Sequence, residues 1–454
     1  MREKINRQLM LPPAPLRHKR WHELKEISDR LDEHPEAMDW VFKDLVAEGV
    51  DARIGRSGMS AEQTLRALVL HQTLQVGFEE LDFELGANDV YRSFCRISPT
   101  QGWSRSTLHR NVSRVRAETL ERLNQLLVAD AEKEGIEDRS RVRTDATPVE
   151  TNIHAPRDSA QLYDVCRVLT RHMNAARVLE PTIAVVDEVK EAKRLTWRIS
   201  NARGDEEKVP HYTKAIEIAV ATIAGAKSAS KALRRIRDRA IRDLVQRTAE
   251  DLDHFTTLGD RVVDLTRRRV IDGEKVPASE KIVSIFEEHT DIIGQRMKTT
   301  YGHKIALTTG PSKLVLDCVV YRGNPNDKTL ARPLMERQRE LYGSGPAQAA
   351  FDGGFASAEN LKLLKASGID DVVFTKARGI ATADMASSRS VYEELRDFRA
   401  GIEGDIAYLK NGFGLRRCLR HGWDGFRAHV WSGVLSANLF TLARRVREGE
   451  RASA

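Results

Sequence analysis

Three carboxylates and two cations in this 454-residue chain have the types and settings that phosphodiester chemistry needs. Asp145 sits near the end of SRVRTDATPV, a β-branched stretch that reads as a strand of about seven residues closed by Pro148. Asp352 ends a second expected strand, Ala347–Asp352, and is followed by Gly353 and Gly354, where the backbone can bend and a ligand can come close. Glu403 lies on an expected helix, RAGIEGDIAYLK at 399–410. If that helix is continuous, Arg399, Glu403 and Lys410 point to one side. Oxygen donors of this kind suit two Mg²⁺ ions. Held about 3.5–4 Å apart, such ions activate a water or 3′-hydroxyl and stabilise the leaving oxygen. The two flanking cations suit phosphate oxygens.

Plainer readings stand beside this one. Taken alone, the 399–410 face reads more simply as a solvated surface with spaced ion pairs. A trio at element ends can also be picked by chance from 66 acidic residues, with Asp158, Asp164, Asp317, Asp370 and Asp371 as rivals. His154 and His303 lack a paired metal-ligand spacing and read as hydrogen-bonded partners or outer groups.

The elements that must position these groups follow from periodicity. Pro12, Pro13 and Pro15 make a stiff lead-in to a helical N-terminal region. A helix opens at Ser60 with Gln63 as capping box and runs to Gly77, and another covers about 78–86. A third starts near Ser104 or Ser106 and runs on through Leu120, Leu123 and Leu127. Its outer face carries Arg105, Arg110, Asn111 and Arg114, which fits either a helix-turn-helix reader near 60–116 or a plain bundle. Helical character then fills 159–290, with Leu233, Ile236, Ala240 and Leu244 in helical register among Lys227, Lys231, Arg234, Arg235, Arg237, Arg239, Arg242 and Arg247. That basic face is either solvated or tracks DNA. Strand character returns at Met297–Thr309, turns at TGPSK, and continues as Leu314–Tyr321. A helix from Asp327 to Tyr342, a helix at Ser357–Ala366, a strand at Asp371–Thr375 and a helix near Trp431–Arg445 complete the order.

Composition narrows the class. A formal net charge of +7 and a pI near 9.2 favour a polyanionic partner, with basic residues clustered at both ends. Cys95, Cys166, Cys318 and Cys418 form no CxxC pair, which argues against a zinc ribbon or disulfide scaffold and for a reducing cytoplasm. The N-terminus has no apolar signal core and no long apolar run follows, so membrane and secreted classes are set aside.

Several blocks in order resemble bacterial insertion-sequence transposases of the ISNCY type, within the DDE transposase superfamily. They are RTDATPVETNIHAPRDSAQLYD at 143–164, YGHKIALTTG at 301–310, RGNPNDKTL at 322–330, FDGGFAS at 351–357 and GIEGDIAYLKNGFGLRRC at 401–418. A related group carries Tyr-x2-Arg-x3-Glu-x6-Lys on its last catalytic helix; Arg399, Glu403 and Lys410 match it, while Arg396 replaces the tyrosine. The resemblance implies an α/β fold: an RNase H-like core, a mixed sheet flanked by helices, interrupted by a long helical insertion and preceded by an all-helical DNA-binding domain. The expected limits are 1–135 for that domain, 136–158 and 291–445 for the core, 159–290 for the insertion and 446–454 for a basic, disordered tail. It implies Asp145, Asp352 and Glu403 as catalytic metal ligands for two Mg²⁺ ions, with Mn²⁺ as a substitute. DNA contacts are expected from Arg399, Lys410, Arg416, Arg417, Arg105, Arg110 and Arg114. The implied activity is cleavage at inverted-repeat ends and strand transfer into target DNA, by a homodimer or larger assembly in the bacterial cytoplasm or nucleoid. A silent DNA-binding repressor and an RNase H-like nuclease without strand transfer are the alternatives.

Overall fold

The computed structural model describes residues 2–5, 16–47, 53–54, 58–98, 100–294 and 298–453. The proline lead-in at Pro12, Pro13 and Pro15, and Met297, lie outside them. The chain divides into two compact units, one of residues 1–152 with 302–454, the other Ile153–Tyr301.

The first unit opens with helices α1 (Lys19–Asp32), α2 (Pro35–Val46), α3 (Ala61–Leu74), α4 (Phe78–Ala87), α5 (Asp89–Phe94), α6 (Arg105–Val112) and α7 (Ala117–Lys133). The expected capping box is present: Gln63 N donates to Ser60 Oγ (3.1 Å) and Ser60 N to Gln63 Oε1 (3.2 Å). The helix expected to run from 104 past Leu127 is two helices. Arg116 N is drawn off to Asp44 Oδ2 on α2 (3.0 Å) and Arg114 Nη1 to Leu45 O (3.3 Å), so residues 113–116 turn before α7 begins. Asn111 is buried rather than on an outer face, accepting from Arg2 Nη1 (2.5 Å) and donating to Thr107 O (2.6 Å).

Strand β1 spans Arg141–Thr151 and passes straight through Pro148. Glu150 N donates to Arg416 O, so two residues earlier the proline nitrogen faces the same edge. That edge is paired only at 141–144 and 150–151, and the missing N–H interrupts no ladder bond.

The second unit holds α8 (Asp158–Leu179), α9 (Val189–Asn201), α10 (Asp205–Leu233), α11 (Arg242–Thr266) and a short strand β2 (Asp291–Gly294). Leu162, Leu169, Ala219, Ile223 and Leu252 share its core. Helical register does not persist from Leu233 to Leu244: residues 234–241 form the α10–α11 turn, and Leu244 is exposed.

The chain continues through β3 (Thr299–Thr309), β4 (Val315–Val320), α12 (Ala331–Tyr342), β5 (Gln348–Phe351), α13 (Ala358–Ala366), β6 (Asp371–Phe374), α14 (Thr382–Met385), α15 (Arg389–Ala400), α16 (Ile402–Gly412), β7 (Arg417–Cys418) and α17 (Gly422–Ser453). Residues 446–453, expected in a tail, are the last turns of α17. In the first unit the strands run β4-β3-β1-β5-β6, with β7 beside β1. The β1–β3 and β3–β4 pairs are antiparallel, and β5 and β7 lie parallel to β1 and β6 to β5. Asn124 on α7 and Asn438 on α17 share a buried network with Val315 on β4, so both helices are fixed against the sheet without an orphaned amide. All four cysteines are buried, and none of them forms a disulfide. Among the described residues no helix is long and apolar enough to cross a membrane.

Candidate active site

Parallel pairing of β1 with β5 sets Thr144 opposite Phe351. The next residue on each strand is an aspartate, so Asp145 and Asp352 emerge side by side where the pairing ends. Gly353 and Gly354 matter through close packing: a Cβ on Gly353 would stand 2.7 Å from Lys376 Cβ, and one on Gly354 2.9 Å from Asp327 Oδ2.

Glu403 reaches the same place from α16. The expected single helix at 399–410 is broken at Gly401, between α15 and α16. The cause is Arg143, whose Nη1 donates to Phe398 O (2.8 Å) and occupies the space a Cβ on Gly401 would need. Its Nη2 donates to Asp405 Oδ2 (2.6 Å), and Thr309 Oγ1 accepts from Arg143 Nε (2.9 Å) while donating to Asp405 (3.0 Å). This buried cluster fastens the start of α16 to β1 and β3.

Across the break, Arg399 joins the three acids. Its Nη2 donates to Asp145 Oδ2 (2.6 Å) and lies 3.4 Å from Asp352 Oδ1, and Nη1 donates to Glu403 Oε1 (3.2 Å). The Arg399 side chain is 10% exposed and that of Glu403 73%. Arg399 Nε is buried without a hydrogen-bond partner among the described residues. Burial pushes the Asp145 carboxyl up to about 6, against the pull of Arg399 and the Ala146 N–H, and nearby Asp352 and Asp327 add to the rise. Burial also raises Asp352, but Arg399 and hydrogen bonds from Gly353, Thr375 and Gly354 outweigh it and hold that carboxyl low. Lys410 Nζ donates to Thr147 Oγ1 (2.6 Å), two residues along β1 from Asp145.

The donors are hard oxygens, which suit a divalent ion such as Mg²⁺. They surround a planar guanidinium rather than one point, and among the described residues no group of three His, Cys, Asp or Glu side chains is close enough to hold an ion. Metal ligation by these acids therefore requires Arg399 to withdraw.

The rival residues have other work. Asp317 is buried against Arg337 (2.7 Å), and Asp371 accepts from Ser387 N and Gln348 Nε2. Asp370 adjoins β6, its N–H donating to Ala347 O. Asp158 and Asp164 belong to the second unit, where they pair with Arg269 and with His154 and Arg167. His303 is buried edge-on to Trp423 and Phe426. Asp327, read only as a helix start, is a further carboxylate beside the site, paired with Lys304 (2.8 Å). Its place after the RGNPN turn was the available signal.

Residues 265–439 match the family described as Transposase DDE domain. The match covers less than half of the chain and shows that this segment is similar to that domain. It contains Asp352, Arg399, Glu403 and Lys410; Asp145 precedes it. No curated protein and no solved structure matches the chain. Of the expected DNA contacts inside the transposase domain match, Arg416 is exposed and donates to Asn411 Oδ1 (2.9 Å), and Arg417 pairs with Glu150 (3.0 Å). Outside it, Arg105 and Arg110 are exposed on α6, Arg105 lying 3.7 Å from Glu79, and Arg114 falls in the turn after α6.

Proposed function

We propose that this chain is the transposase of an ISNCY-type bacterial insertion sequence, cutting DNA at the element's ends and joining the freed 3′-hydroxyl to target DNA. One observation carries the reading: a single guanidinium, that of Arg399, touches Asp145, Asp352 and Glu403, which come from three separate sequence blocks. Carboxylates so far apart in sequence meet around one cation only if folding gathers them. The strand order β4-β3-β1-β5-β6, with two antiparallel and two parallel pairings, supports an RNase H-like core, with the second unit as an insertion after β1.

In this reading Asp145, Asp352 and Glu403 hold Mg²⁺, or Mn²⁺ in its place. When bound, the ions supply Lewis-acid activation of the attacking oxygen and charge neutralisation at phosphorus. Asp352 is held as a carboxylate by Arg399 and its hydrogen bonds, and Asp145, raised to about 6 by burial, is also largely ionised at pH 7. Lys410 and a displaced Arg399 grip phosphate oxygens, while Arg416, Arg417, Arg105, Arg110 and Arg114 bind duplex DNA. Two ends must be brought together, which calls for a dimer or larger complex acting in the bacterial cytoplasm or nucleoid.

The decisive assay is end cleavage and joining by Asp145→Asn with Mg²⁺. Loss of both with DNA binding retained is expected. Full cleavage by the variant would remove the assignment, and cleavage without joined products by the unaltered chain would make it a nuclease.

A further inference from the structure

Away from the acids, the first unit contains a cavity of about 670 Å³ between the end of α3, the starts of α4 and α17, the α6 turn and the 414–421 segment. Gln72 Nε2 donating to Phe413 O (2.5 Å) and Gln75 Nε2 donating to Asn411 O (2.7 Å) tie α3 to that segment and give the cavity fixed walls. One wall is aromatic. His71 stacks on Phe78 with centroids 4.3 Å apart and planes 8° apart, and the Phe78 ring meets His109 edge-on at 5.1 Å. Leu419, 62% exposed, adds apolar surface.

The floor is cationic and unbalanced. Arg420 lines the cavity; its Nη2 donates to Ser432 Oγ (3.2 Å), but Nη1 is buried with no hydrogen-bond partner among the described residues. None of the lining residues is acidic, and Arg416 has a neutral amide as its partner. Burial lowers Arg420 to about 10, and lowers His71 and His429 to about 4, so the two imidazoles are neutral at pH 7. A buried guanidinium nitrogen without an acceptor is costly; because Nη1 is closed to solvent, an incoming anion removes that cost once the Arg420 side chain turns towards the cavity. The size is that of a small-molecule site, several times what a bare phosphate needs.

We propose that this cavity binds a nucleoside phosphate unit, with the phosphate on Arg420 and the base against the His71–Phe78–His109 wall. Flat rings accept any base by stacking, typically about 1–3 kcal/mol per base. The unit is either a nucleotide displaced from a DNA strand or a free mononucleotide. Only the assignment to DNA rests on the transposase reading.

The test uses the full chain, irradiated with a single-stranded oligonucleotide carrying 5-iodouracil and, separately, with free 5-iodo-dUMP; cross-linked peptides are mapped by mass spectrometry. Adducts are expected within 71–78, 109–113 or 414–421, falling at least about tenfold in Arg420→Met and in Phe78→Leu. Circular dichroism checks both folds, and Phe78→Leu decides alone if Arg420→Met does not fold. Adducts from the oligonucleotide alone assign a strand, and adducts from 5-iodo-dUMP alone assign a free nucleotide. Adducts only elsewhere, or undiminished in a folded variant, overturn the inference. If cavity adducts are absent while duplex ends are still bound and cut, the cavity inference fails and the transposase reading survives. If 5-iodo-dUMP labels the cavity while duplex DNA is neither bound nor cut, the reverse holds.

Discussion

Arg399 pairs with three acids at once, and that makes it a competitor for any cation they would otherwise attract. Its guanidinium lies within 2.6–3.4 Å of an oxygen from each. Replacing it with the shorter, neutral Arg399→Gln removes a positive charge from their midst. Mn²⁺ binding to the DNA-free protein, followed by electron paramagnetic resonance, should tighten about tenfold, or ~1.4 kcal/mol; unchanged affinity would show that Arg399 does not compete. End cleavage should fall in the same variant, because its expected phosphate grip is lost. A second single-residue effect concerns His429, buried with Nε2 3.1 Å from Gly414 O. Burial, with Arg420 and His71 nearby, lowers its pKa from 6.5 to about 4. Above pH 6.5 the group is neutral both folded and unfolded. As pH falls from 6.5 towards 4 only the unfolded chain takes up the proton, so stability drains across that window, by about 3 kcal/mol at most. His429→Gln, which can still donate to Gly414 O, should flatten that decline in urea unfolding at pH 7 and pH 4.5. An unaltered slope would assign the acid sensitivity elsewhere.

The α15–α16 junction shows how one element is aimed by another. Arg143 and Asp405 are each 6% exposed, and their pair, with Thr309, holds the turn that presents Glu403. Breaking a buried pair from one side leaves a charge without a partner. Arg143→Met or Asp405→Ala should each cost about 3–5 kcal/mol in urea unfolding, and the double variant clearly less than the sum; simple additivity would mean the pair is not coupled. This junction also marks the limit of what sequence conveys. The Ala347–Asp352 strand, its glycine turn, the β3–β4 hairpin and the Ser60 cap were legible, because each is written in neighbouring residues. The break at Gly401 was not, since this glycine keeps helical angles (φ −63°, ψ −22°) and what interrupts the helix is an arginine on β1. The end of α6 depends likewise on Asp44 of α2, and passage of β1 through Pro148 depends on where its neighbours stop. Asp145, Asp352 and Glu403 could be singled out from local pattern and family resemblance. That Arg399 lies among them, and that Asp327 adjoins them, required the pairing of β1 with β5.

For the whole molecule, the excess of +7 is a sum over surfaces that need not act together. The first unit exposes Arg105, Arg110 and Arg416, and the second exposes Arg235, Arg237, Arg239 and Arg242 around its α10–α11 turn. Within that turn Asp238 is the one acidic residue, and Arg234 already pairs with Asp253 (2.5 Å), so the four remaining arginines outweigh the acid. A merely solvated turn and a DNA-contacting one differ in salt dependence. Each phosphate neutralised on duplex DNA contributes about 0.9 to the slope of log K against log salt. Changing all four arginines to glutamine should therefore lower the slope by about 3–4 if every one meets a phosphate. The loss should be equal for end-containing and unrelated duplexes, because phosphate contacts carry no sequence information. These side chains are exposed, so stability should move by no more than about 0.5 kcal/mol per site. Fluorescence anisotropy at several salt concentrations, paired with thermal melts, makes the comparison. A slope equal to that of the unaltered protein would mean this turn is only solvated, and DNA binding would then fall to the cations of the first unit.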